Sequence, residues 1–333
     1  MSTAINTTTT QTDPTMENQK IDETTLAADQ ERLANLQLFL REVLLGKEEQ
    51  IDLVIACILA QGHLLLDDLP GTGKTTLAKA IADAVGGQLS RVQCTPDLMP
   101  AEITGFSMFN QKTREFDFQP GPVFSDVLLA DELNRTTPRT QSALLEAMAE
   151  RQVSIEGKTH PLSPSFFVIA TQNPIDSHGA YPVPEAQLDR FAIKLKIGYP
   201  DRQAQQEILK RAASAGDPSS RPSAAMNLQQ LQALQERTRT LFVHDNVRDF
   251  LIDLVEATRD HPAIELGTSP RGMLAWQSVA QGWAILKNRD YVTPTDVLDV
   301  ADAVLSVRLL SHESDVHALI AELLESVPVP EYQ

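Results

Sequence analysis

Residues 64 to 85 read LLLDDLPGTGKTTLAKAIADAV, and this stretch restricts the fold more than any other. His63 to Asp67 is a short apolar run bounded by turn residues, the pattern of a strand buried on both faces of a parallel sheet. A glycine loop follows, then a helical stretch from Thr75 to Ala82 that Gly86 and Gly87 close. Strand, loop and helix in this order make a phosphate-binding loop, because amides from Gly71 to Thr75 can face an anion at a helix N-terminus. The expected nucleotide-binding set is Pro70, Gly71, Thr72, Gly73, Lys74, Thr75 and Thr76. Lys74 would reach the β- and γ-phosphates, and Thr75 would hold Mg²⁺.

One position departs from the pattern. Its opening glycine is replaced by Asp68. Asp tolerates unusual φ values and can bond its own turn amides, so its side chain is expected to turn away from the nucleotide. The alternative is a degenerate loop that binds nothing.

Further along, FSDVLLADELNR contains a second buried strand, Val127 to Ala130, ending in Asp131 and Glu132. Adjacent strand residues point to opposite faces, so the two carboxylates can take different roles. Asp131 would orient the Mg²⁺ shell and Glu132 would polarise the attacking water. A third strand, Phe166 to Thr171, ends near Asn173, which would stand on the γ-phosphate side; a lone Asn there is otherwise a turn former. Two arginines complete the candidate catalytic set: Arg190 in PEAQLDRF and Arg271 in GTSPRGMLAW. Ser269 caps and Pro270 starts the helix that carries Arg271, which places its charge in the first turn, at a helix end expected to face the nucleotide. Taken singly, either arginine reads more often as a surface ion-pair partner.

Composition narrows the function classes. With 333 residues, 42% of them apolar, the chain is long enough for a larger and a smaller domain. A net charge of −17, with no run of Lys or Arg, weighs against nucleic acid as principal substrate. The Thr-rich start lacks a basic segment and an apolar stretch, so a disordered tail without a secretory signal is expected. Ile51 to Leu66 is interrupted by Asp52, Gln61, Gly62 and His63 and is too short to cross a bilayer, so a cytoplasmic location without membrane insertion is expected. Cys57 and Cys94 form no close-spaced pair and are read as structural.

Four segments in fixed order resemble the AAA+ ATPases and, in wording, their MoxR branch: LLDDLPGTGKTTLAKAIA, the stretch from PGPVFSDVLLADELNR to EAMAERQVSI, FFVIATQNPIDSHGAYPVPEAQLDRF and TSPRGMLAW. The likeness runs from about Leu36 to the last helix. It implies an α/β fold: a P-loop AAA+ parallel-sheet ATPase domain with inserted β-hairpins, followed by a small all-α lid. On this reading residues 1–28 are the tail, 29–199 the ATPase core and 200–333 the lid. The resemblance makes Lys74 and Thr75 Walker A, Asp131 and Glu132 Walker B, Asn173 sensor 1, Arg190 the arginine finger and Arg271 sensor 2. It also implies ATP and Mg²⁺ as cofactors and a homo-oligomeric, hexameric ring acting on a protein client. A further implied partner carries a von Willebrand factor A-type domain with a metal-ion-dependent adhesion site. ITGFSMFNQKTREFDFQPGPVF and VSIEGKTHPL read as hairpins turning at Asn110 to Thr113 and at Gly157. They are either packed on the core or, by the resemblance, set near a central pore.

From Pro200 and its cap Asp201 onward, strand signals cease. Val247, Phe250, Leu251, Leu254 and Val255 mark one helix stripe, and Val297, Val300, Ala301, Val304 and Leu305 another, opened by a capping box at Thr293 to Asp296. Gly216 to Ser223 reads as a flexible connection. Because Arg271 comes from this bundle, nucleotide is expected to clamp lid and sheet domain together. Two rivals remain: a chelatase-type motor driving metal insertion by a partner, and a regulatory protein that senses nucleotide without hydrolysing it.

Overall fold

The structure, a computed structural model, describes residues 23–69, 71–173, 181–213, 224–312 and 315–330. Pro70, the stretch Gly216 to Ser223 and most of the expected tail lie outside the described residues. Residues 23–28, assigned to that tail, instead form the first turns of helix α1, Glu23–Val43.

Two helices, α1 and α2 (Glu48–Leu59), precede strand β1, Leu64–Asp67. There follow α3 (Lys74–Ala84), β2 (Leu89–Gln93), α4 (Pro100–Thr104), the hairpin β3 (Gly105–Asn110) and β4 (Glu115–Pro120), and β5 (Val127–Asp131). Next come α5 (Pro138–Glu150), the hairpin β6 (Gln152–Ile155) and β7 (Lys158–Pro161), β8 (Phe167–Gln172), α6 (Glu185–Leu188) and β9 (Ile193–Leu195). Five of the strands form one parallel sheet in the order β2-β5-β8-β1-β9.

Both faces of this sheet are covered, which is why its strands read as continuous apolar runs. Leu64, Leu66, Leu129 and Ile169 pack with α1, α2 and α3. Leu65, Leu128, Val168 and Ala170 pack with Leu144, Leu145 and Met148 of α5. All these side chains are buried.

The second half is helical: α7 (Arg202–Ala213), α8 (Leu228–Arg239), α9 (Asp245–Asp260), α10 (Pro270–Leu286), α11 (Pro294–Asp299), α12 (Ala301–Leu305) and α13 (Val316–Ser326). Its caps are those expected. Asp201 accepts from Ala204 N at 2.7 Å, Ser269 accepts from Gly272 N at 3.0 Å, and Thr293 and Asp296 form a reciprocal capping box. The second apolar stripe is split, however, because the helix breaks at Val300 between α11 and α12. Two short strand pairs also occur here, Phe242–Val243 with Tyr291–Val292 and Ile264–Leu266 with Leu310–Ser311. Pieces of two or three residues carry no periodicity, so sequence reading passes over them.

The larger apolar cluster runs without a break from α1–α3 into α10 and α12. The closest approach is at Gly282, where an added Cβ would stand 2.4 Å from Ala56 O, so α10 can cross α2 here only without a side chain. The lid therefore rests on α2, a helix that lies before the first strand in sequence.

His63, expected to open the first strand, precedes β1 and joins three elements. Its Nδ1 accepts from Val168 N at 3.1 Å, and Nε2 donates to Met148 O at 3.3 Å. Burial, with Arg151 nearby, pushes its pKa down to about 3, against the weaker upward pull of the Met148 carbonyl. The folded value lies below the unfolded one, so the stabilisation from the neutral ring is complete above about pH 6.5 and drains away toward pH 3. Urea melts at falling pH should show wild-type stability dropping faster than that of His63→Gln, by up to ~1.4 kcal/mol per pH unit in that window. Equal slopes would mean that the ring is already protonated in the fold.

Candidate active site

The phosphate loop lies between the C-terminal end of β1 and α3. Gly71 and Gly73 have φ of +85° and +98°, conformations that exclude ordinary side chains without strain, and Gly73 is the N-cap of α3. A cleft of about 380 Å³ opens there, lined by Gly71, Gly73, Lys74, Thr75, Thr76, Arg91, Asp131, Glu132 and Asn173. The loop, both acids and Asn173 are thus brought together from β1, β5 and β8, as the motif order leads one to expect. Thr72 is turned the other way; it is buried and donates to Leu69 O at 3.2 Å.

The acids are set differently from the expectation of alternating strand faces. Asp131 closes β5, but Glu132 leaves the strand in the left-handed region, with φ +59° and ψ +51°. Such a conformation costs a non-glycine residue on the order of 1–2 kcal/mol, and a surrounding hydrogen-bond network holds it. Thr171 Oγ1 donates to Asp131 Oδ1 at 2.8 Å and accepts from Glu132 N at 2.8 Å. Glu132 Oε2 accepts from Gln93 Nε2 at 2.9 Å and from Arg135 at 3.0 Å. Arg91 pairs with Asp131 Oδ2 at 2.7 Å. Sequence reading misses Arg91, Gln93 and Thr171, since a polar residue on a strand or at its end forms no motif by itself.

The donor set fits a nucleotide with Mg²⁺. Two left-handed glycines and a helix N-terminus suit a phosphate chain, while the Thr75 hydroxyl and the Asp131 carboxylate are hard oxygen donors sharing its cleft. Among the described residues no group of three or more His, Cys, Asp or Glu side chains could hold a metal alone. That agrees with an ion bound through one carboxylate and the phosphates it accompanies.

A second cleft, of about 240 Å³, shares Gly71, Gly73 and Thr76 with the first. Its remaining walls are largely apolar: Val43 at the end of α1, Leu44 and Leu45 just after it, Ile197 and Pro200 after β9, and Ile208 of α7. An apolar slot continuous with a phosphate loop can take a planar base. Apart from Ile208, these residues stand at or just past element ends, where no periodic signal exposes them.

Arg190 and Arg271 are elsewhere. They line a third cleft, of about 270 Å³, together with Gln61, Gly62 and His63, which precede β1. Leu64 of β1 pairs with Ile193 of β9 in a parallel register, so Arg190, just before β9, stands at the sheet edge opposite the phosphate loop. The strands between them span about 13 Å at ~3.3 Å per residue. The expected clamp, in which Arg271 reaches the nucleotide of its own chain, is therefore wrong: α10 begins at the far end of the sheet. The two arginines are nevertheless adjacent, and the reason is local. Asp189 Oδ2 accepts from the cap Ser269 at 2.7 Å, and Oδ1 pairs with Arg308 at 3.0 Å. Arg308 also donates to Phe191 O at 2.7 Å and Ala192 O at 2.9 Å, fastening the lid beside Arg190. Burial lowers the Arg308 pKa to about 10, opposed by Asp189, and the guanidinium stays charged at neutral pH. Arg151, on the same cleft, is bound to the carbonyls of Gln61, Pro164 and Phe166. Neither Arg190 nor Arg271 has an ion-pair partner among the described residues, and Arg190 Nε is buried without an acceptor. Two uncommitted guanidinium groups at an open cleft are suited to an anion from outside the chain.

The hairpins differ from each other. The second, with Glu156 and Gly157 at φ +50° and +77°, places His160 in a stack with Phe118, centroids 4.0 Å apart. The first is fixed at its base, where a Cβ on Gly105 would lie 2.4 Å from Gln119 O. Phe106 near the base and Met108, Phe109 and Phe116 toward the tip are all about half exposed or more. Adjacent positions Met108 and Phe109 are exposed together, so both faces of that hairpin meet solvent and packing on the core does not describe it.

No helix among the described residues is long and apolar enough to cross a membrane. Residues 63–193 match the family described as "ATPase family associated with various cellular activities (AAA)", and residues 256–325 match an AAA lid domain. The chain is 40% identical to the uncharacterised protein YeaC of Bacillus subtilis, over 87% of this chain and 92% of that one. It is 37% identical to the chaperone MoxR1 of Mycobacterium tuberculosis, over 92% and 84%. A solved structure of a candidate ATPase from Cytophaga hutchinsonii superposes with a TM-score of 0.84 at 30% identity, covering 93% of this chain and 98% of that one.

Proposed function

Since this chain belongs to the MoxR family of AAA+ ATPases, we propose that it hydrolyses Mg·ATP in a ring of identical subunits and uses the cycle to remodel or assemble a protein client. The working units are the ATPase core, from the start of α1 at Glu23 to residue 199, and the lid, from residue 200 onward. The reading is supported above all by one observation: the loop and acids lie at one end of the sheet and the two arginines at the other, without an ion-pair partner among the described residues.

A site so divided is completed by head-to-tail packing, which generates a ring when the rotation closes. Bound Mg·ATP would supply the scissile phosphate and most of the charge to be neutralised. Lys74 and the amides of Gly71 to Thr75 would grip the phosphate chain, Thr75 and Asp131 would hold the ion, and Asn173 would orient water and phosphate together. Glu132, kept in place by Gln93, Arg135 and Thr171, would take a proton from the attacking water. Arg190 and Arg271 would reach the γ-phosphate bound by the neighbouring subunit, where a guanidinium from outside adds about 10³ to 10⁵ in rate.

The exposed apolar tip of the first hairpin supports contact with a client. Hexameric assembly, a cytoplasmic location and a partner carrying a von Willebrand factor A-type domain with a metal-ion-dependent adhesion site follow from the family resemblance. Phosphate release across a dilution series tests the shared site. Turnover per subunit should fall steeply as sedimentation shows the assembly dissociating; a constant turnover down to monomer would contradict it.

A further inference from the structure

Asp68 replaces the glycine that opens the usual phosphate loop, and the structure gives it a task that glycine cannot perform. It does not have the positive φ for which an Asp would be tolerated there. Its side chain is 5% exposed and lines neither the phosphate cleft nor the apolar slot. Its carboxylate instead holds two backbone amides, one next to it in sequence and one far away. Oδ1 accepts from Leu69 N at 2.8 Å, inside the phosphate loop. Oδ2 accepts from Gly198 N at 2.7 Å, 130 residues away, in the turn between β9 and α7.

That turn is the far wall of the apolar slot. Ile197, Gly198 and Pro200 line it opposite Leu44 and Leu45, and Gly198 takes φ +66° to make the bend. Lys47, from the near wall, donates to Tyr199 O at 3.0 Å and ties the same turn from the other side. Two side chains thus hold this turn, and one of them stands at the root of the phosphate loop.

We propose that Asp68 is a positioning residue that couples the phosphate loop to the Ile197–Pro200 wall of the base slot, so that a nucleotide is recognised by both parts as one rigid unit. This rests on the nucleotide-binding reading above. Lys74 Nζ donates to the Asp68 carbonyl at 2.7 Å. The residue that grips phosphate and the residue that holds the base wall are therefore in direct contact. A return to the usual glycine would remove both acceptors and with them the bond that joins the phosphate loop to this turn. The chain would then bind nucleotide less well with the standard motif than with its own.

Calorimetric titration of the full chain with Mg·ADP and, separately, with Mg·tripolyphosphate tests this. Wild type measures the underlying reading: if it binds no ADP, that reading and this inference both fail. Given wild-type binding, Asp68→Gly should raise the ADP Kd about tenfold or more and the tripolyphosphate Kd less than about threefold, since the charge-assisted bond to Gly198 is lost on the base side while Lys74 and the loop amides remain to hold phosphate. Asp68→Asn, isosteric but able to accept from only one of the two amides, should fall between. A misfolded fraction lowers the number of sites in both titrations but leaves the ratio of the two constants unchanged, and Asp68→Asn carries the test if the glycine variant does not fold. Equal weakening toward both ligands would confine Asp68 to shaping the phosphate loop, and an unchanged ADP Kd would remove any role; either overturns the proposal.

Discussion

Arg190→Ala is expected to lower kcat for ATP by about 10³- to 10⁵-fold while leaving the Kd for Mg·ATP within about threefold of wild type. The asymmetry follows from where the side chain stands. Arg190 lines a cleft at the edge of the sheet opposite Lys74, so its removal takes nothing from the phosphate grip of its own chain. It would remove instead a positive charge that stabilises the transition state on the subunit next door, an effect equivalent to roughly 4 to 7 kcal/mol of barrier. Arg271→Ala should act in the same direction, because Ser269, Asp189 and Arg308 hold its helix beside Arg190. Steady-state phosphate release paired with calorimetry separates the two quantities. A large rise in Kd at an unchanged kcat would mean that the arginines grip ground-state nucleotide and that the shared-site reading is wrong.

The second large effect is at Glu132. Glu132→Gln should cut kcat by about 10²- to 10⁴-fold, the usual weight of a positioned general base, with Mg·ATP still bound. The amide keeps an oxygen to accept from Gln93 and Arg135, and the backbone bond to Thr171 is untouched, so position is preserved and basicity is lost. A single-turnover measurement with preloaded ATP isolates this step from release of product. Wild-type turnover by the variant would show that another group activates the water, and the left-handed backbone at Glu132 would then have no catalytic explanation.

Much of the nucleotide site is readable from residue order because its chemistry is carried by short contiguous stretches. Gly71 to Thr76, Asp131 with Glu132, and Asn173 each follow an apolar strand, and strands of one parallel sheet must end side by side. What is not readable depends on contacts between distant segments. Arg271 has a well-formed cap and a correct helical start, yet nothing local tells which end of the sheet its helix reaches. That is decided by Gly282 against Ala56 and by Arg308 against Phe191 and Ala192, contacts between residues more than 100 positions apart. Arg308 reads as one more cation in a helical segment until its burial is seen. The base slot is hidden for a similar reason: Leu44 and Ile197 lie just past element ends, more than 150 positions apart, and meet across the turn that Asp68 and Lys47 hold. Asp68 itself reads as a deviation in the loop, and the turn it bonds lies far beyond any motif window.

The central claim is that Arg190 and Arg271 act together, on the nucleotide of another subunit. Mixed assemblies test it. Arg190→Ala and Lys74→Ala proteins, each inactive alone, should recover activity when combined, since about a quarter of randomly formed interfaces would pair an intact loop with intact arginines. Arg190→Ala and Arg271→Ala should not rescue each other, because both variants damage the same donor face and no interface receives a complete pair. If that second mixture hydrolyses ATP well above either variant alone, the two arginines serve different subunits, and the divided site described here is wrong.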